Sequence, residues 1–214
     1  MRNGAVVRLE QLTDAMERVF LATGAPGWEH PHPDRAPLEE EYSRVTAPER
    51  WQIVGARVDA WCEAAVQLGI AHLERDPEAS PNVGTVQPYE RVERLVPRRA
   101  GALPLVLGHR TLEGAGSGVV IAVGDPAVVV GRVPVCGCDA CDSGSDDVLA
   151  EVDRAIVGAV TGALRHLRRG DVTIVADHDG WSASGLGLPD DVAAVLADPT
   201  GWVEVSGRSW LDGA

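Results

Sequence analysis

The chain has 214 residues, with 19 basic against 32 acidic side chains and a formal charge of −13 at pH 7. That balance excludes a general nucleic-acid binder, whose affinity rests on neutralising phosphates, while 45% apolar and 24% charged residues fit a folded globular protein. Every basic residue is arginine, which removes Schiff-base, phosphate-loop and kinase chemistry that depends on a lysine.

No apolar run reaches the roughly 18 residues of a membrane helix. The opening stretch MRNGAVVRLEQLTDAMERVF carries Glu10, Asp14 and Glu17 and no apolar stretch of signal-peptide type, so none is expected. Cys136, Cys138 and Cys141 are clustered and Cys62 stands far from them, unlike the dispersed pattern of a secreted disulfide scaffold. The expected setting is the cytoplasm, with no nucleic-acid or membrane partner and a protein or small molecule of unstated identity as ligand.

In chain order, Val7 to Leu21 reads as a helix stopped by Thr23-Gly24-Ala25-Pro26-Gly27, and Pro26 to Pro37 as a Pro-rich surface loop. Thr46-Ala47-Pro48-Glu49 has the form of a capping box. The long helix expected after it carries a stripe of Trp51, Val54, Val58, Trp61, Cys62, Ala65, Leu68 and Leu73 and ends at Asp76-Pro77.

The periodicity then becomes strand-like. Strands are expected at Tyr89 to Val96, Leu103 to Leu112, Gly118 to Val123 and Ala127 to Val133, joined by short turns that make neighbours antiparallel. Ser145 to Arg168 reads as a helix with Asp146 and Asp147 in its first turn, Arg165 and Arg168 at its end, and Gly170 as its stop. Two short strands, Val172 to Ala176 and Trp181 to Ser184, a small helix from Pro189 to Leu196, and a strand near Val203 complete the chain. The expected fold is α+β: one domain over 1–214, mainly helical through residue 80, then an antiparallel sheet of three to six strands with helices mainly on one face.

The strongest chemical signal is Pro134-Val135-Cys136-Gly137-Cys138-Asp139-Ala140-Cys141-Asp142. Three thiols within six residues can converge on one cation, and Cys-x-x-Cys is a common zinc half-site. Cys136, Cys138 and Cys141 are therefore the candidate metal ligands, with zinc the candidate ion. A fourth ligand would be His109, His166, His178, Cys62 or water. Thiols that bind nothing, and a regulatory disulfide, are the competing readings. Asp139, Asp142, Asp146 and Asp147 are expected to raise the thiol pKa values, which disfavours thioredoxin-like chemistry. They fail the calcium-loop template and read as a carboxylate-decorated helix start.

Other patterns are near misses. Gly114-Ala115-Gly116-Ser117-Gly118 lacks the third glycine of a dinucleotide loop, and Gly180-Trp181-Ser182-Ala183-Ser184 is one residue short of a nucleophile elbow. Asp177-His178-Asp179 reads as a solvated turn rather than a general base, and His30-Pro31-His32-Pro33 as a stiff loop. Trp28, in that loop, is the tryptophan expected to make an exposed contact.

At PVCGCDACD, followed by VDRAIVGAVTGALRHL and preceded by EEYSRVTAPERW, the sequence resembles an actinobacterial family of uncharacterised proteins, a domain of unknown function. The resemblance runs from about Glu40 to Arg169. It implies that the cysteine loop belongs to the family pattern and that a bacterial cytoplasmic protein is the setting, and it carries no activity. The residues themselves point to a structural cysteine loop, closed by zinc or metal-free, in a protein that binds a partner. The alternative is a zinc-dependent or thiol enzyme built on the same three cysteines.

Overall fold

A computed structural model describes residues 7–75, 89–111 and 117–211. Helix α1 (Leu9–Ala22) packs on α2 (Gln52–Gln67), and strands β1 (Ala71–Arg75), β2 (Arg91–Pro97), β3 (Leu105–Thr111), β4 (Ser117–Val123) and β5 (Val128–Val133) follow. Helix α3 (Ser145–Thr161), β6 (Arg165–Arg169), β7 (Val172–Ala176), β8 (Trp181–Ser184), α4 (Val192–Ala197) and β9 (Val203–Ser206) complete the order. The architecture is α+β. It has two antiparallel sheets rather than one: a meander β1-β2-β3-β4-β5 and a second sheet β8-β7-β6-β9.

Alternation along the meander sends Leu95, Leu105, Leu107, Val119, Ile121 and Val123 to the face covered by the helices. There they meet Trp51, Val54, Val58 and Trp61 of the α2 stripe and Val152, Ile156 and Val160 of α3. Trp51 and Trp61 are essentially fully buried, contributing about 5 kcal/mol each at about 25 cal/mol per Å². The second sheet has its own apolar layer, Leu167 and Ile174 against Val192, Val195 and Leu196. Trp210 ties the end of the chain to the main core, its backbone N–H donating to Val160 O (2.8 Å) and its indole to Leu103 O (3.0 Å).

Three expectations are corrected. Helix α2 stops at Gln67, with the Ile70 N–H returning to Ala65 O at 3.1 Å, so Leu73 lies on strand β1, which the helical stripe had absorbed. Helix α3 stops at Thr161, and Arg165, Leu167 and Arg168 belong to β6. Gly162 takes the left-handed conformation (φ +74°) where Ser209 and Arg208 pass close by, a place no other residue fits without strain. Gly170 accordingly sits in the β6–β7 turn rather than at a helix end. Thr46, finally, makes no cap: Ala47 precedes a 3₁₀ turn at Pro48–Trp51, and the Thr46 hydroxyl goes to Asp139. The turns expected at 76–81 and 113–116 lie outside the described residues.

Candidate metal centre

Strand β5 ends at Val133, and the chain from Pro134 to Gly144 connects it to α3 around a 3₁₀ turn at Asp139–Cys141. This turn, closed by the Cys141 N–H on Cys138 O at 3.1 Å, folds the Cys-x-x-Cys segment back on itself. The Sγ atoms of Cys136, Cys138 and Cys141 all lie within 4.8 Å of one another. The Cys136 thiol donates to Cys138 Sγ at 3.2 Å, and the Cys138 N–H points at Cys136 Sγ at 3.4 Å. Three sulfurs on a tetrahedral zinc with bonds of about 2.3 Å stand about 3.8 Å apart, so the loop is preformed to within a small adjustment.

Burial pushes the Cys138 thiol up, but hydrogen bonds from the Cys136 and Cys141 thiols and from the backbone N–H groups of Cys141 and Ala140 outweigh it, and the net shift is down. Burial and the adjacent sulfurs push Cys141 up to about 12. The cluster thus favours the thiolate at Cys138 and resists ionisation of Cys141, because like charges at this separation repel. A divalent cation is what would let all three ionise together.

The aspartates do not act on the thiols as the sequence suggests. Asp139 is buried and accepts from Thr46 N (2.7 Å), Thr46 Oγ1 (2.7 Å) and Arg44 Nε (2.7 Å). Burial alone would raise its pKa, but these donors hold its carboxyl at about 2. Asp142 is fully buried and takes the Trp28 indole N–H (2.9 and 3.1 Å), the Gly144 N–H (2.9 Å) and Arg50 Nη2 (2.9 Å). The Arg50 guanidinium packs against both the Trp28 and Trp51 rings, 5.5 and 5.3 Å from their centroids. Both carboxylates are therefore compensated by arginine, and only Asp146 and Asp147 remain a solvated decoration of the α3 N-terminus.

These partners come from residues 28–50, the segment read only as a loop and a capping box. Trp28 is half-buried against Trp51 (5.4 Å, edge-on) rather than exposed, and His32 is buried with Nε2 3.1 Å from Asp139 O. Arg35 and Arg44 both pair with the buried Glu41, at 2.8 and 3.2 Å. The one sequence signal for this arrangement was the stretch EEYSRVTAPERW, which contains Glu41, Arg44, Thr46, Arg50 and Trp51.

Among the described residues, no histidine, carboxylate or further cysteine joins the three sulfurs. His109 sits at the end of the meander beside Asp59 and Glu93. His166 is buried on β6 and borders a separate cleft against β5. His178 pairs with Asp179, and Cys62 is buried on α2. Asp177 of the Asp-His-Asp run accepts from Arg154 (2.7 and 3.0 Å) and from the N–H groups of Asp179 and Gly180, which makes it a turn.

Fold and site together define an α+β protein whose three-cysteine loop is clamped by arginine–carboxylate pairs. The chain belongs to the Family of unknown function (DUF6226), whose model matches residues 16–213, a wider span than the resemblance from Glu40 to Arg169 suggested. No curated protein and no solved structure gives a significant match.

Proposed function

We propose that Cys136, Cys138 and Cys141 bind one zinc ion as a structural site, in a protein that acts by binding a protein or small-molecule partner. The observation that carries the reading is the convergence of the three sulfurs, with Cys138 cradled by two backbone N–H groups. Zinc there would fix the loop between β5 and α3, and through Asp139 and Asp142 would fix the segment 28–50 laid against it. The exposed thiols of Cys136 and Cys141 suit a reducing compartment, which supports a cytoplasmic setting. The strongly acidic, lysine-free composition supports partners other than nucleic acid or anionic membrane, and no helix among the described residues is long and apolar enough to cross a membrane.

The enzyme reading draws on the same exposure, since Cys136 and Cys141 are within reach of a substrate. Against it stands charge: three thiolates leave zinc a weak Lewis acid, and no base among the described residues joins the sulfurs.

Titration of the metal-free chain with Co²⁺ tests the binding set. A near-ultraviolet thiolate-to-cobalt band that saturates at one equivalent, is lost in Cys138→Ser and Cys141→Ser, and is reversed by zinc supports the site. No such band at several equivalents overturns it.

A further inference from the structure

A second cluster lies away from the cysteines, at the polar end of the meander. On the helix-covered face, β2 presents Arg91, Glu93 and Leu95 in alternation, and β3 presents Leu105, Leu107 and His109. Leu95, Leu105 and Leu107 enter the core, so Glu93 and His109 continue an apolar face with ionisable groups. Both are buried, Glu93 at 2% exposure. Asp59 reaches the same point from α2 and is half-exposed.

The groups form a ring around one guanidinium. Arg91 Nη2 is 2.7 Å from Asp59 Oδ1 and 3.0 Å from His109 Nε2, and Arg91 Nε is 3.7 Å from Glu93 Oε2. His109 Nε2 is itself 3.6 Å from Glu93 and 4.0 Å from Asp59. The ion pairs to Glu93, including Arg75 Nε at 3.4 Å, are all longer than the 2.7–2.9 Å of a charge-assisted hydrogen bond. A carboxylate taken this far from water costs several kcal/mol unless tightly paired, and Arg91 divides its charge among three acceptors.

Asp59, Arg91 and His109 of this ring line an open cleft of about 910 Å³ between α2, the end of α1 and the sheet, and the buried Glu93 contacts Arg91 and His109 without lining it. At Gly55 the α2 wall comes close to the imidazole without a side chain: a Cβ there would lie 3.7 Å from His109 Nδ1 and 4.0 Å from Ser117 Oγ. Glu49, Asp59 and Glu90 line it against Arg91 and Arg50, and Arg50 is already held by Asp142. Excess negative charge, a buried carboxylate and an imidazole nitrogen all ask for a cation.

We propose that Asp59, Glu93 and His109 form a divalent-cation site, in which the Arg91 guanidinium is the resident cation that the metal displaces toward solvent. Two carboxylate oxygens and one imidazole nitrogen suit Mn²⁺, Fe²⁺ or Zn²⁺. The facing ligand atoms lie within 4.8 Å of one another, so modest inward shifts of side chains bring them to bonding distance, and the cleft side is left to water or an organic ligand. The site shares no ligand with the cysteine loop and stands whether or not that loop binds zinc.

The test is Mn²⁺ binding to the full chain, followed by loss of the free-ion paramagnetic resonance signal, on a Cys136→Ser/Cys138→Ser background that removes the thiol site. One equivalent is expected to bind. Asp59→Asn, at a half-exposed position that leaves the core intact, should weaken binding by about tenfold or more, and Arg91→Ala should tighten it by removing the competing cation. An unchanged free-ion signal in both the background protein and Arg91→Ala overturns the proposal, as does equal binding with and without Asp59→Asn. Either result would leave a network of guanidinium and carboxylates only.

Discussion

Arg50 Nη2 lies 2.9 Å from the fully buried carboxylate of Asp142, joining the start of the α2 segment to the loop that carries the three cysteines. Asp142 also accepts from the Trp28 indole and the Gly144 N–H, while the Arg50 guanidinium packs against two indole rings and reaches Asp139 at 3.5 Å. Removing one end strands the other. Asp142→Ala is expected to cost about 3 kcal/mol and to weaken zinc binding by about tenfold or more, because the loop loses its anchor. Urea denaturation and a zinc competition titration measure the two effects. A cost under about 1 kcal/mol would mean the pair behaves as a surface ion pair.

Cys62 should be chemically silent. It is buried on α2, and desolvation, reinforced by the nearby Glu93 and Asp59, pushes its thiol far above the ordinary cysteine range. Metal-free native protein treated with iodoacetamide is expected to be alkylated first at the exposed Cys136, more slowly at Cys141, whose raised pKa keeps it protonated, and at Cys62 only on unfolding. Mass mapping of the modified sites reads this directly, and early alkylation of Cys62 would contradict its placement.

Acid should loosen the segment 28–50 through Glu41. Its hydrogen bonds from Arg35 and from the Leu38 N–H hold the carboxyl at about 2 in the folded chain, against about 4.3 unfolded. A folded pKa below the unfolded one stabilises above the unfolded value, and that contribution fades as pH falls from about 4.3 toward about 2. Glu41→Gln should therefore be less stable than the parent near neutral pH and converge with it at the acid end. Parallel denaturation curves across that range, with a constant gap between the two proteins, would count against the pairing.

Gly162→Ala should be severe and Gly170→Ala mild. A Cβ at Gly162 would lie 2.5 Å from Ser209 N and 2.8 Å from Arg208 C, adding a clash with backbone to left-handed strain, about 2 kcal/mol or more together. At Gly170, also left-handed, nothing lies within 4 Å, and about 1 kcal/mol of strain is expected. Thermal denaturation of the two variants separates close approach from conformation.

That contrast also shows why part of the fold was hidden in the sequence. The meander was legible because short apolar, valine-rich runs bounded by turn residues recur from β2 to β5. The boundaries after α2 and α3 were not, because Leu73 and Leu167 fall at helical spacing from the residues before them while serving as strand residues. Only tertiary contact, such as Ser209 passing beside Gly162, reveals where the helix must stop. The cysteine cluster was visible from spacing alone. Its clamp was not: Trp28, His32, Arg44, Thr46 and Arg50 lie some 90 to 117 residues before the loop they hold, and no local period links them to it. Glu93 and His109 were masked in the same way, each occupying a core-facing strand position that an apolar residue would ordinarily take.

The cysteine loop as a zinc site is tested most directly by elemental mass spectrometry of tag-free protein, paired with thiol counts before and after chelation. About one zinc per chain is expected, with Cys136, Cys138 and Cys141 protected until the chelator removes it. Metal-free protein with four reactive thiols after unfolding, and no uptake of added zinc by the folded chain, would contradict the account.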